Sequence, residues 1–256
     1  MLVDSHCHLD RLDLEPFNGS LEEALSAARK EGVREYLCVA INKENQAEVI
    51  ALSEQFEDVY ASVGIHPLNT EGQDADVEYL VSQAQHEKVI AIGETGLDYY
   101  YAKETMNEQR ALFHTHVQAA VQVKLPLIIH TRDARQDTLD ILREENAEKV
   151  GGVLHCFTES LEMAEAALEM GFYISFSGIV TFRNAEELRE VAQKIPKDRI
   201  LVETDSPYLT PVPFRGKPNS PRHVADVARC VAEIRGENFE SFAAQTTENY
   251  RRLFNR

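Results

Sequence analysis

The chain is sparing with cysteine, has no long apolar run and is poor in positive charge, and each shortage excludes a class of protein. Four cysteines in 256 residues, at positions 7, 38, 156 and 230, are too scattered for a dense disulfide framework and form no Cys-x-x-Cys zinc motif, so free thiols are expected. No apolar stretch approaches the ~18 residues of a membrane span. The opening Met1-Leu2-Val3-Asp4-Ser5-His6 carries neither a basic cluster nor an apolar run before a small-residue cleavage site, which makes a cytoplasmic protein the expectation. Lysine and arginine number 26 against 43 aspartates and glutamates, a formal net charge of −17. Such a surface repels polyanions at long range and argues against coating duplex DNA, although metal ions or a few arginines can make a cleft locally positive. What remains is an ordinary globular composition, 43% hydrophobic and 27% charged, which excludes disorder and supports a sizeable core.

Eight apolar, β-branched runs recur along the chain: Leu2–Val3, Val33–Ile41, Val59–Ile65, Val89–Ile92, Leu127–Ile129, Gly152–Leu154, Phe172–Phe176 and Ile200–Val202. Between them lie segments with helical spacing. Leu21, Ala24, Leu25 and Ala28 follow a capping box of Ser20 and Glu23 and stop at Gly32. Leu112, Phe113, Val117, Ala120 and Val121 form another stripe, as do Leu188, Val191 and Ala192. Ser220-Pro221 opens a helix bearing Val224, Val227, Ala228 and Val231, and a last helix ends near Tyr250–Phe254. Strands alternating with helices imply right-handed βαβ crossovers and a parallel sheet; eight units at this length predict a closed (β/α)8 TIM barrel occupying residues 1–256 as one domain. The alternative is an open doubly wound sheet, whose dinucleotide-binding version is weakened by the absence of Gly-x-Gly-x-x-Gly after the first strand.

The first strand ends in Asp4-Ser5-His6-Cys7-His8. Residues two apart in a strand share a face, about 6.6 Å apart in Cα position, so the imidazoles of His6 and His8 can converge on one metal while Cys7 points into the shell behind the sheet. Glu94, His130, His155 and Asp205 each follow a predicted strand, and in a barrel those strand ends converge on one rim. Six residues of ligand type at one rim are hard to attribute to isolated polar strand caps. Four imidazoles and two carboxylates suit Zn2+, Mn2+, Fe2+ or Co2+ better than the all-oxygen shells of Mg2+ or Ca2+, and they suffice for two ions. A carboxylate such as Glu94 can bridge metals ~3.5–4 Å apart, which points to metal-assisted hydrolysis.

These residues stand in recognisable strings: Asp4-Ser5-His6-Cys7-His8-Leu9-Asp10, Gly64-Ile65-His66-Pro67, Gly93-Glu94-Thr95-Gly96-Leu97-Asp98, His130-Thr131-Arg132, His155-Cys156-Phe157 and Glu203-Thr204-Asp205-Ser206-Pro207. In their order and content they resemble the TatD family of metal-dependent hydrolases, a branch of the amidohydrolase superfamily. The resemblance implies that His6, His8, Glu94 and Asp205 hold a first ion and Glu94, His130 and His155 a second. Glu94 then takes the bridging place that a carboxylated lysine fills in some other members of the superfamily. It also implies two divalent cations (Zn2+, Mn2+ or Mg2+), with Glu94 and Asp205 catalytic and Asp205 the general base for a water whose pKa the ions lower. Family members include nucleases that shorten DNA from its 3′ end.

Contacts to substrate are expected from His66, which could instead simply cap its strand, and from Arg132, two residues beyond His130 and able to grip a phosphate bidentately or to pair with a surface acid. Tyr99-Tyr100-Tyr101 could stack on bases or pack on the barrel. Residues 206–225 contain no acid and five of the nine prolines, with Arg215, Lys217, Arg222 and His223; with Arg183 nearby in sequence order, they suggest a stiff anion-binding loop. His86, His114 and His116 fall on outer helices and read as exposed or structural. The leading expectation is a dinuclear phosphodiesterase acting on single-stranded or frayed DNA ends, with no membrane and no obligate protein partner. A hydrolase of a small ester, lactone, amide or phosphomonoester keeps the same centre. A binding or scaffold protein with a structural metal is the alternative of another class, disfavoured because structural zinc sites are closed and Cys-rich.

Overall fold

The computed structural model describes residues 1–73 and 75–256. Eight strands run parallel and pair strictly with their sequence neighbours: β1 (Leu2–Cys7), β2 (Val33–Cys38), β3 (Val59–Val63), β4 (Val89–Asp98), β5 (Leu127–Arg132), β6 (Gly152–Leu154), β7 (Tyr173–Phe176) and β8 (Ile200–Val202). Helices α1 (Leu21–Lys30), α2 (Lys43–Gln55), α3 (Val77–Gln83), α4 (Met106–Val123), α5 (Arg135–Glu144), α6 (Leu161–Glu169), α7 (Glu186–Lys194) and α8 (Val224–Arg235) follow the successive strands, and α9 (Phe239–Phe254) ends the chain. This is the (β/α)8 barrel that the strand–helix alternation predicts. Its seam is laced beyond β8, where Asp205 N–H donates to the His6 carbonyl (2.9 Å) and His8 N–H to that of Ser206 (2.8 Å). Among the described residues no helix is long and apolar enough to cross a membrane.

Helix boundaries follow local chemistry. Ser20 Oγ accepts from Glu23 N–H at the start of α1, while the Glu23 carboxylate takes the Asn18 amide at 2.7 Å; only the serine half of the expected capping box forms. The buried faces of α1, α4, α7 and α8 carry the apolar residues that the sequence spacing selects, including Leu25, Phe113, Val191 and Val231.

Alternate strand residues feed two cores. Those facing outward pack under the helices; those facing inward, Val3, Leu37, Ile90, Ile128, Val153 and Leu201 among them, fill the barrel and are sealed below by Tyr250 and Phe254 of α9. Above this plug sit hydroxyls. Ser5 Oγ meets Ser175 Oγ (3.3 Å), and Ser62 Oγ accepts from Ala40 N–H and donates to the Gly93 carbonyl at 2.6 Å. Above the hydroxyls stand the histidines and carboxylates.

Three strands run further than their apolar runs, β5 through His130 to Arg132 and the other two through irregularities in their pairing. β1 continues to Cys7, and an irregularity between Asp4 and Cys7 breaks its pairing with β2. The break lets Ser5 and His6, neighbours in sequence, both reach inward, while Cys7 stays buried behind the sheet with its thiol donating to the Leu37 carbonyl. β4 continues through a second irregularity between Ile92 and Thr95 to Asp98, so Glu94 lies within the strand and not after it. Gly64 and Gly93 make that bend possible, because a Cβ on Gly64 would stand 2.5 Å from the Gly93 carbonyl carbon.

Candidate metal centre

The six predicted ligands converge. His6 and His8 present their Nε2 atoms 3.3 Å apart, and Asp205 Oδ1 faces both, at 3.6 and 3.4 Å. Glu94 divides its two oxygens. Oε2 looks to His6 at 3.4 Å, whereas Oε1 looks to His155 at 2.7 Å and His130 at 3.5 Å. The His6 and His155 rings stack almost parallel, 3.8 Å between centroids. One carboxylate therefore joins two groups of ligand atoms: His6, His8 and Asp205 on one side, His130 and His155 on the other.

Partners behind the ligands set which nitrogen is free. His130 Nε2 lies 2.9 Å from Asp98 Oδ2, His155 Nδ1 lies 3.2 Å from Glu203 Oε1, and His8 Nδ1 lies 3.1 Å from the Val39 carbonyl. In each ring, when neutral, a proton on the nitrogen that faces this outer oxygen leaves the opposite lone pair aimed into the centre. His155 Nε2 is then a buried acceptor with no hydrogen-bond partner, directed at a carboxylate oxygen. Such a pair of lone pairs across 2.7 Å needs a proton or a cation between them, and the mixed nitrogen and oxygen donor set is what a first-row divalent ion binds. The residues present fit such an ion.

The charges tell the same story. Burial alone would favour neutral Glu94, but His155, His66 and His6 outweigh it and hold the carboxyl well below the usual range. Burial likewise opposes charge on His155, yet the Glu94 and Glu203 carboxylates raise its pKa well above the ordinary value. Glu94 is held ionised, and the proton that His155 gains beside it supplies the positive charge that a bound cation would supply.

His66 also reaches Glu94 Oε1, at 3.2 Å. Its Nδ1 accepts the Leu68 N–H at 3.1 Å, so the neutral ring carries its proton on Nε2. Burial lowers its pKa and keeps it neutral. His66 thus caps its turn and presents an N–H donor to Glu94.

The centre lies at the floor of a cleft of about 700 Å3. Arg132 lines this cleft, with its guanidinium over the rings of Tyr100 and Tyr101. Arg183 and Arg215 are exposed and do not line it; Arg215 lies 3.9 Å over the Phe182 ring instead. From the proline-rich loop it is Tyr208 and Leu209 that reach the cleft. Of the outer histidines, His86 and His114 pair with Glu54 and Glu145, while His116 is fully buried and accepts the Ile65 N–H at 3.0 Å. Sequence reasoning missed the roles of Asp98 and Glu203. Glu203 stands two residues before Asp205, and Asp98 pairs in register with Arg132, so strand geometry around the known ligands was the available signal.

A family model described as TatD related DNase matches residues 3–255. The chain is 51% identical over 253 residues to a protein of Escherichia coli (strain K12) named uncharacterized metal-dependent hydrolase YcfH, with 99% of this chain and 95% of that one aligned. It is 43% identical over 255 residues to uncharacterized metal-dependent hydrolase YabD of Bacillus subtilis (strain 168), covering 99% of both. The crystal structure of YJJV, a TatD homologue from Escherichia coli K12, superposes with a TM-score of 0.90 at 32% identity, over 100% of this chain and 98% of that one. Fold, ligand constellation and similarity agree, and the chain belongs to the TatD family of metal-dependent hydrolases.

Proposed function

We propose that His6, His8, Glu94 and Asp205 would hold one divalent cation and Glu94, His130 and His155 a second, and that the chain hydrolyses phosphodiester bonds at the 3′ end of single-stranded or frayed DNA. The observation that carries this reading is the division of Glu94, one oxygen toward each group of ligands. A bound pair of ions lowers the pKa of water and stabilises charge on a phosphoryl oxygen. The chain supplies the rest. Asp205, kept ionised by His8 and His6 against the effect of burial, is placed to accept the proton of the attacking water. His66 Nε2–H faces Glu94 Oε1 and fixes the orientation of that carboxylate at the centre. The water oxygen joins phosphorus, the bond to O3′ breaks, and the proton received by Asp205 balances the departing alkoxide.

The family description names DNases, and Arg132 at the cleft, with no ion-pair partner among the described residues, gives local positive charge that the acidic surface lacks. The apolar side of the cleft, Ile41, Ile179 and Leu209, favours a second reading in which the substrate is a small ester or phosphoester. A 5′-labelled single-stranded oligonucleotide separates them. The first reading expects stepwise shortening that stops with a chelator, returns with Mn2+ or Zn2+ and is absent in His130→Ala; an intact oligonucleotide with every metal leaves the second.

A further inference from the structure

We propose that Tyr101 and Arg132, backed by Tyr100, form a subsite for the unpaired nucleotide beside the scissile bond, with a base on the ring and a phosphate on the guanidinium. This rests on the phosphodiesterase reading and adds a demand for a nucleotide unit, not only for a phosphodiester.

Three neighbouring tyrosines have different fates. Tyr99 turns to the barrel, its hydroxyl bonded to Asp137 at 2.6 Å, while Tyr100 and Tyr101 are 58% and 62% exposed. Their rings meet edge to face, 4.8 Å apart at 89°, and the Arg132 guanidinium lies 4.2 Å from one centroid and 4.6 Å from the other. Among the described residues no carboxylate lies within ion-pair distance of Arg132. In a chain of net charge −17 this guanidinium has acids in plenty to choose from, yet it is held on aromatic faces at the cleft. That placement preserves its fork of donors for an incoming anion. Tyr101 lines the cleft beside it and leaves ring surface open, and aromatic rings in such a groove stack on bases of any sequence.

The platform is fixed to the centre by a single carboxylate. Asp98 Oδ1 accepts the N–H groups of Tyr100 (3.0 Å) and Tyr101 (2.8 Å), and Oδ2 of the same residue faces His130 Nε2 at 2.9 Å. Tyr99 N–H donates to the Arg132 carbonyl at 3.0 Å, and Gln109 bonds both the N–H and the carbonyl of Asp98. The tyrosine loop, Arg132 and His130 are thereby held in one register, so a nucleotide seated on the platform has its phosphate presented to Glu94 and His130.

The test compares two phosphodiesters, a single-stranded thymidine trinucleotide and bis(p-nitrophenyl) phosphate, of which only the first carries a nucleotide beside the scissile bond. For Arg132→Gln and Tyr101→Ala, the ratio of kcat/KM for the trinucleotide to that for bis(p-nitrophenyl) phosphate should fall about ten-fold or more, mainly through KM for the trinucleotide. Tyr101→Phe, which retains the stacking face and the fold, should recover the ratio to within about three-fold of the parent. An unchanged ratio in the first two variants, in a protein that cleaves the trinucleotide, overturns the subsite and leaves the phosphodiesterase reading standing. Cleavage of bis(p-nitrophenyl) phosphate alone overturns both the subsite and the nuclease reading; cleavage of neither removes the phosphodiesterase reading and the subsite with it.

Discussion

The two ends of the barrel are built from the same eight strands to opposite rules. At the lower end Val3, Ile90, Ile128 and Leu201 close on Tyr250 and Phe254 of α9, a dry plug in which burial itself supplies the stability. At the upper rim the same strands bury His6, His155 and Glu94, groups that cost free energy in a dry interior unless something satisfies them. A layer of serines, Ser5, Ser62 and Ser175, separates the two. Stability and chemistry are thus stacked along one axis, and each should be removable without the other.

The sharpest test of that separation is Glu94→Gln, which keeps the shape and removes the charge shared by both ligand groups. Hydrolytic turnover should drop by ~10³-fold or more, while the thermal midpoint of metal-free protein stays the same or rises. Phe254→Ala should do the reverse, costing about 3–5 kcal/mol in denaturant unfolding with metal stoichiometry and KM unchanged. A variant of the plug that lost its metal while still folded would show that the two ends are coupled.

Smaller effects come from groups that hold the ligands. Asp98→Asn and Glu203→Gln keep hydrogen-bonding capacity but lose charge behind His130 and His155, and each should reduce metal affinity by ~10–100-fold, read by titration against a chelator. His116 sits between the two regimes, a buried histidine whose acceptor nitrogen holds Ile65, the residue before His66. Burial lowers its pKa to about 4 from the ordinary 6.5. Unfolded chain binds this proton first as pH falls, so the fold loses stability between pH 6.5 and 4, by up to ~3 kcal/mol, and gains nothing further from this group above 6.5. His116→Ala should flatten that acid limb and lower stability at pH 7 by ~1–3 kcal/mol, since Ile65 N–H loses its acceptor.

The same contrast explains what could be read from sequence. Apolar runs and helical stripes report burial, and they predicted the barrel because eight of them alternate with helices. They ended the fourth strand at Ile92, since beyond it the chain continues as strand through Gly93-Glu94-Thr95-Gly96, where polar groups and glycines carry no hydrophobic pattern. The candidate ligands were legible because histidines and acids recur just beyond the apolar runs in strand after strand, a repetition with few structural uses. Asp98 and Glu203 were not, because their work is to orient another side chain, and that depends on register across strands. Arg183 and Arg215 illustrate the limit of charge counting: an acid-free loop and a nearby arginine marked a region, but both residues lie outside the cleft while Arg132, on β5, lies inside it.

Whether Glu94 serves two ions is decided by a metal titration. Metal-free protein is titrated with Mn2+ or Zn2+ while bound equivalents and oligonucleotide shortening are followed together. The predicted result is two equivalents per chain, with activity rising as the second is filled and both lost in Glu94→Gln. Full activity at one equivalent, or two equivalents and undiminished turnover in Glu94→Gln, would contradict it.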